Sequence, residues 1–263
     1  MAFDINNFVI DRIIRGIALS QKDDSVLFSI NQMQNASLNC ASESTDAVDA
    51  LGTPIATFYR AKSAEFSAEN AIFDMNLMAT QLGTSKKVAS STAKITAPAM
   101  ESFTYGTGSY ELKHTPKAAP AEIYVLNGDS TFGQKFTRAT AAEGGSSAAD
   151  ESHFAITNKT LALPTGLAET TELFVMYDYE TDSAVEVVNS ATEFPVGCKF
   201  VMEVLGCDVC DQTTLVHAYV IFNNFKLSPD FDWSIATDGA HPFSGKAQQA
   251  YCDKEKRLEV MAA

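Results

Sequence analysis

Alternation of apolar and polar side chains every second residue is the dominant pattern along the chain, and it marks strands. It is clearest in "LVHAYVIF" (215–222). There Val216, Ala218, Val220 and Phe222 line one face, and Leu215, His217, Tyr219 and Ile221 line the other. The first row predicts a core; the second is apolar enough to meet a neighbour rather than water. Further strands are predicted at 26–30, 36–42, "IATFY" (55–59) with an extended continuation to residue 70, and "GCKFVMEVLG" (197–206). "VEVVNSATEFP" (185–195) also reads as strand. At the start, Phe8, Ile10, Ile13, Ile14 and Ile17 fit neither the helical nor the strand period, so 8–17 is left as helix or strand.

The pattern switches period once. In "NAIFDMNLMATQLG" (70–83), Ile72, Phe73, Leu77, Met78 and Leu82 form one broad apolar stripe, with Asn70 as N-cap and Gly83 at the stop position. That stripe predicts a helix packed on a core. Between 42 and 55 the alternation lapses. Asp46, Ala47, Val48, Asp49, Ala50, Leu51, Gly52, Thr53 and Pro54 read as a loop with an acidic flank and an apolar tip at Val48 and Leu51.

Residues 84–100 are small, polar and mildly basic and read as a linker. Beyond them short strands follow at close spacing: "SYELKHT", "AEIYVLN", "GQKFTRA", "HFAIT", "TLALP" and "ELFVMYDYE". Their number and spacing predict a compact β-sandwich. From about residue 187 the strands lengthen again, and the ending from His241 begins as loop and finishes polar. The organisation predicted is a mainly β chain in which one domain interrupts another. The outer domain comprises 1–95 and 187–263, is mostly antiparallel and carries one helix; the inserted sandwich spans 96–186.

Candidate chemistry is sparse. Cys207 and Cys210 form a Cys-x-x-Cys pair, but a structural zinc site needs two such pairs, and His217, His241 and Cys252 are not themselves at chelating spacing. A redox pair of the thioredoxin kind would open a helix, whereas "DQTTLVHAYVIF" reads as strand. The pair is expected to be free thiols at a hairpin turn, with no metal and no cofactor. The histidines His114, His153, His217 and His241 lie far apart, and there is no His-Glu-x-x-His, Gly-x-Ser-x-Gly, phosphate loop or dinucleotide fingerprint. Asp230 and Asp232, two apart, are expected on one face of a strand, beside Trp233 as a packing anchor. No active site is predicted.

The formal net charge of −14 argues against specific nucleic-acid binding and fits a surface that DNA passes without adhering or, more commonly, one that merely keeps a protein soluble. Residues 96–186 hold 13 acidic and 5 basic residues, so the insert carries −8 of that charge. The first residues lack a signal-peptide pattern and no run is long enough to span a membrane, so a soluble product of the cytoplasm is expected. Five scattered cysteines are not a disulfide framework. The Asn35 and Asn158 triplets match the glycosylation pattern by chance on this reading.

Two stretches, "AEFSAENAIFDMNLMATQLG" (64–83) and "LVHAYVIFNNFKLSPDFDWSIATDGAHPFSGKAQQ" (215–249), give the outer domain an order of pieces that resembles bacteriophage tail tube proteins. The resemblance implies a tail-tube-like β-barrel, or two packed antiparallel sheets, with one flanking helix. It implies a non-enzymatic virion protein assembled in the host bacterial cytoplasm. Six copies would join their sheets into a ring, and rings would stack into a tube, in contact with other tail proteins, through which DNA passes. By resemblance, Asp46 to Pro54 would be the loop that reaches the next ring, and 96–186 an immunoglobulin-like decoration. Glu65, Glu69, Glu203, Asp230 and Asp232 are the candidate lumen residues. The alternative is a capsid decoration or head–tail connector protein. A carbohydrate-binding module would instead expose aromatics at the sandwich loops, where Phe132, Tyr105 and Tyr110 are the candidates.

Overall fold

A computed structural model describes residues 7–106, 108–140, 148–249 and 258–262. The chain divides into two compact units, Met1–Lys86 with Val187–Ala263, and Lys87–Glu186. Strands make up 58% of it and helix 3%, so the fold is mainly β, as the alternation predicts.

The first unit opens with β1 (Phe8–Ser20), β2 (Val26–Ile30), β3 (Met33–Val48), β4 (Pro54–Asn70) and the helix α1 (Met75–Leu82). The second unit holds β5 (Lys87–Val88), β6 (Ile95–Thr104), β7 (Ser109–Glu111), β8 (Glu122–Leu126), β9 (Phe132–Arg138), β10 (His153–Thr157), β11 (Thr160–Ala162), β12 (Glu172–Thr181) and β13 (Val185–Glu186). The first unit resumes with β14 (Gly197–Asp208), β15 (Asp211–Leu227), β16 (His241–Ala247) and β17 (Glu259–Ala262).

In the first unit one antiparallel sheet runs β2-β1-β14-β15-β16-β4-β3, with β17 added beside β15, and curls into a half-barrel. Its inner face is built on phenylalanine. Phe200 has ring centroids of Phe28, Phe66, Phe222, Phe225 and Phe243 within 5.4–6.2 Å of its own, and all six are essentially buried. Gly16 lets the curl close, because a side chain there would collide with Met33 and the Phe200 ring.

Bulges explain the sequence that fitted no period. On β1, Ile10 pairs with Gly206 and Arg12 with Leu205, then Ile13 with Val204 and Arg15 with Glu203. Asp11 and Ile14 are therefore extra residues, and each shifts the alternation by one. On β15, Phe222 pairs with Phe200 and Phe225 with Cys198, so both phenylalanines face the core despite their odd separation. The segment "HPFSGKA", read above as loop, is β16, a central strand whose His241, Phe243, Gly245 and Ala247 alternate inward. The expected strand 185–195 shrinks to β13, and 187–196 carries no strand.

The helix is shorter than the stripe suggested. Asp74, not Asn70, is the N-cap, accepting the Leu77 N–H at 2.7 Å. Asn70 is the last residue of β4, and Ile72 is exposed. Gly83 ends the helix at φ +74°, where the Gly83 and Thr84 amides donate to the Thr80 and Ala79 carbonyls. A Cβ at Gly83 would lie 2.2 Å from the Phe194 carbonyl carbon.

Buried His241 ties this helix to β16. Its Nδ1 accepts the Asp74 N–H at 3.4 Å, which leaves Nε2–H to donate to Gln81 Oε1 at 2.8 Å. Gln81 in turn donates to the Pro242 carbonyl, and Trp233, Phe73 and His241 stack in sequence. Burial lowers the pKa of His241, with the Asp74 charge acting in the opposite sense.

The second unit places seven strands in the order β6-β12-β8-β9-β10-β11-β7, and β5 pairs with β13 apart from them. The segment read as linker holds β5 and most of β6; Pro98 is tolerated because β6 is an edge strand. Ile123, Phe136, Phe154, Leu161, Leu173 and Val175 form its core. Buried Glu101 accepts hydrogen bonds from the Tyr110 and Tyr177 hydroxyls and from the Lys113 amide.

Gly83→Ala combines a left-handed backbone with a backbone collision and is expected to cost about 1–3 kcal/mol, read as a lower denaturation midpoint of the full chain. His241 binds a proton more readily when unfolded. Its contribution is therefore complete above the ordinary histidine pKa of 6.5 and declines as pH falls below it. His241→Gln is expected to flatten stability against pH just below that value, measured by denaturation at a series of pH values.

Candidate functional site

The feature that packing does not account for is the β3–β4 ribbon. β4 pairs with β16 only from Glu65 to Asn70, while its pairing with β3 continues out to Pro54 and Val48. Every residue of β3 after Met33, and of β4 up to Ser63, is exposed. From Ala41 to Val48 the ribbon stands clear of the sheet for about 25 Å at the usual strand rise. Bulges bend it where Asn35 (φ +52°) and Ala61 (φ +47°) take left-handed backbones. Exposure on both faces removes the alternation, which is why its outer end, 46–54, reads as loop.

The expected loop is thus shorter than predicted. Asp46, Ala47 and Val48 end β3, Pro54 begins β4, and only Asp49, Ala50, Leu51, Gly52 and Thr53 form the turn. The turn is tightly made. The Asp49 carboxylate accepts the Leu51 and Thr53 amides at 2.8 and 2.9 Å, and these bonds hold its pKa below the usual range. Gly52 supplies φ +84°. Leu51, 91% exposed, is left at the apex, with Val48, Ile55, Phe58 and Tyr59 exposed along the arm below it. An isolated two-stranded ribbon is at best marginally stable in water, and clustered exposed apolar side chains signal a partner.

The five candidate acids lie in the first unit but not in one place. Glu65 and Glu69 lie on the face of β4 turned away from the core, alternating with buried Phe66 and Ala68. Glu65 is 2.8 Å from the Lys246 ammonium, and Glu69 accepts the Asn35 amide at 2.8 Å. Asp230 and Asp232 are not on a strand; they follow β15 and border, with Glu69 and Asn35, one shallow depression. Glu203 is separate from these. Its side chain is 10% exposed on β14, where Arg15 Nε donates to it at 2.6 Å and His217 Nδ1 lies 2.8 Å away. The Arg15 hydrogen bond holds the Glu203 carboxyl below its usual pKa, and its charge is matched locally.

Cys207 lies within β14 opposite Val9 and Leu215, and Cys210 sits in the turn before β15, its amide donating to Asp208. Both are free thiols. His217 is engaged by Glu203 and His241 by Gln81, and Cys252 lies outside the described residues. Among the described residues no three His, Cys, Asp or Glu side chains are grouped to hold a metal ion. Of the three aromatics considered for sugar contact, Tyr105 is buried, Tyr110 stacks on Phe103 at 3.7 Å, and Phe132 alone is exposed.

Sequence reasoning missed a second apolar surface in the first unit. Ile72, Phe194, Val196 and Ile235 are exposed in the segments that flank α1 and precede β14 and β16. Ile72 had been assigned to the helix core and Phe194 to a strand. The residues that displace them, Asp74 as cap and the non-strand backbone of 187–196, carry little signal in composition.

No described helix is long and apolar enough to cross a membrane. No curated protein matches the chain. A family model described as the YomU/Tube protein family matches residues 8–256, nearly the whole chain. The chain therefore belongs to the YomU/Tube protein family and is a phage tube-like structural protein.

Proposed function

We propose that the chain is the repeating subunit of a phage tail tube, in which six copies close into a ring, as the resemblance implies, and rings stack into the channel for genome delivery. The observation that carries this reading is the β3–β4 arm, whose two faces and apolar tip are exposed among the described residues. Open strand edges support the ring. Beyond Glu65 the side of β4 away from β3 has no partner strand among the described residues, and such edges invite pairing with another chain. A tube family is consistent with a role that involves no catalysis. On this reading the second unit is an immunoglobulin-like decoration.

The acids suited to a lumen are Glu69, Asp230 and Asp232, which share one depression, with Glu65 beside them. Glu203 is the weakest of the five, since its side chain is only 10% exposed and paired with Arg15. Carboxylates facing DNA offer no counterion release and so no adhesion.

Leu51→Asp is expected to leave the folded subunit unchanged, because Leu51 touches nothing in the chain's core. It should shorten stacks at least about tenfold, equivalent to about 1.4 kcal/mol or more per ring contact. Negative-stain electron microscopy of the purified variant measures this, and stacks of normal length would remove the arm from the assembly. For the lumen, Asp230→Lys with Asp232→Lys is expected to slow DNA release from phage carrying the variant, with the slowing relieved by added salt. Unchanged release kinetics would take these residues off the channel wall.

A further inference from the structure

A stack needs a surface that receives the arm, and the strand directions locate one. β3 runs outward to the turn at 49–53 and β4 returns; β16 is antiparallel to both β4 and β15. β15 therefore runs parallel to β4, and the β14–β15 turn lies at the same end of the sheet as the arm tip. The opposite end carries α1, the segment before β14 and the segment 228–240.

At that end stand the four large apolar side chains Ile72, Phe194, Val196 and Ile235, the last 84% exposed. Three of them are tied to α1. Ile72 lies two residues before the Asp74 cap, and Ile235 lies two beyond Trp233, whose ring stacks on Phe73 at 4.2 Å. The Phe194 backbone packs against Gly83 at the other end of the helix. Leu77 and Leu82 of the helix are buried, whereas these four side chains are exposed.

The tip has the matching chemistry. Its one carboxylate, Asp49, is occupied by amides of its own turn, so the apex presents Leu51 rather than a charge seeking a basic partner. Tip and rim lie at opposite ends of one sheet. A contact between them joins copies head to tail and does not close on itself, which is the symmetry of an open stack. We infer that the rim of Ile72, Phe194, Val196 and Ile235 is the socket for the Leu51 tip of a second copy. This rests on the tube reading above and names the partner surface within it.

The test compares wild type, Leu51→Asp, Ile235→Asp and Phe194→Asp by electron microscopy and sedimentation velocity. A photo-crosslinking residue is placed at position 51 in a parallel sample. The rim variants are expected to keep the wild-type circular dichroism and rings, and to shorten stacks at least about tenfold, as loss of a buried apolar anchor does. The crosslink is expected in peptides from 187–199 or 228–240 of another copy. Leu51→Lys combined with Ile235→Asp is expected to recover stacking by pairing opposite charges. Stacks of normal length in both rim variants, with Leu51→Asp still unable to stack, would overturn the socket and leave the tube reading standing. A wild-type protein that forms no stacks would overturn both.

Discussion

The rest of the structure depends on where covered sheet face runs out. A strand pair is stable in water when at least one face is packed, and the phenylalanine cluster around Phe200 supplies that packing for the lower half of the half-barrel. Above Ala64 the same two strands continue with no second layer among the described residues. The chain keeps them paired with an Asp49-capped turn and bends them with two bulges at positive φ, and both their faces are exposed among the described residues. On the proposed function, such a ribbon gains the remainder of its burial from other molecules. A tube subunit is the kind of protein that has identical neighbours within reach at every position.

The alternation of apolar side chains made the sheet legible wherever one face is covered. Val26–Ile30 and the β15 row Ala218, Phe222 stand as the pattern required. It failed at three kinds of place, each for a physical reason. Bulges at Asp11 and Ile14 and between Phe222 and Phe225 reset the period, so β1 looked ambiguous. The arm lost the pattern because both its faces are wet. β16 was hidden because Pro242 and Gly245 look like turn residues, although Pro242 lies where β4 alone is opposite it and Gly245 makes room for the Phe225 ring. The helix was found from its stripe and its Gly83 stop, but its start was misplaced by four residues because Asn70 and Asp74 are both competent caps.

The candidate site was legible in part. Leu51 stood out in the sequence as an apolar residue in a polar turn, and the structure leaves it at the apex of the arm. The acids were recognisable as acids but not as neighbours. That Glu69, Asp230 and Asp232 share a depression, while Glu203 is held by Arg15 and His217, depends on pairings between strands far apart in sequence. The exposed side chains around the helix end were invisible for a related reason: an apolar residue gives no sign in sequence of whether it faces a core or a second copy.

The central claim is that the arm is covered by other copies and not by its own chain. Amide hydrogen exchange of residues 41–63, compared between dilute subunit and assembled material, tests it most directly. The account predicts fast exchange along the outer half of β3 and β4 in the subunit and strong protection after assembly. Equal protection in both states would contradict it.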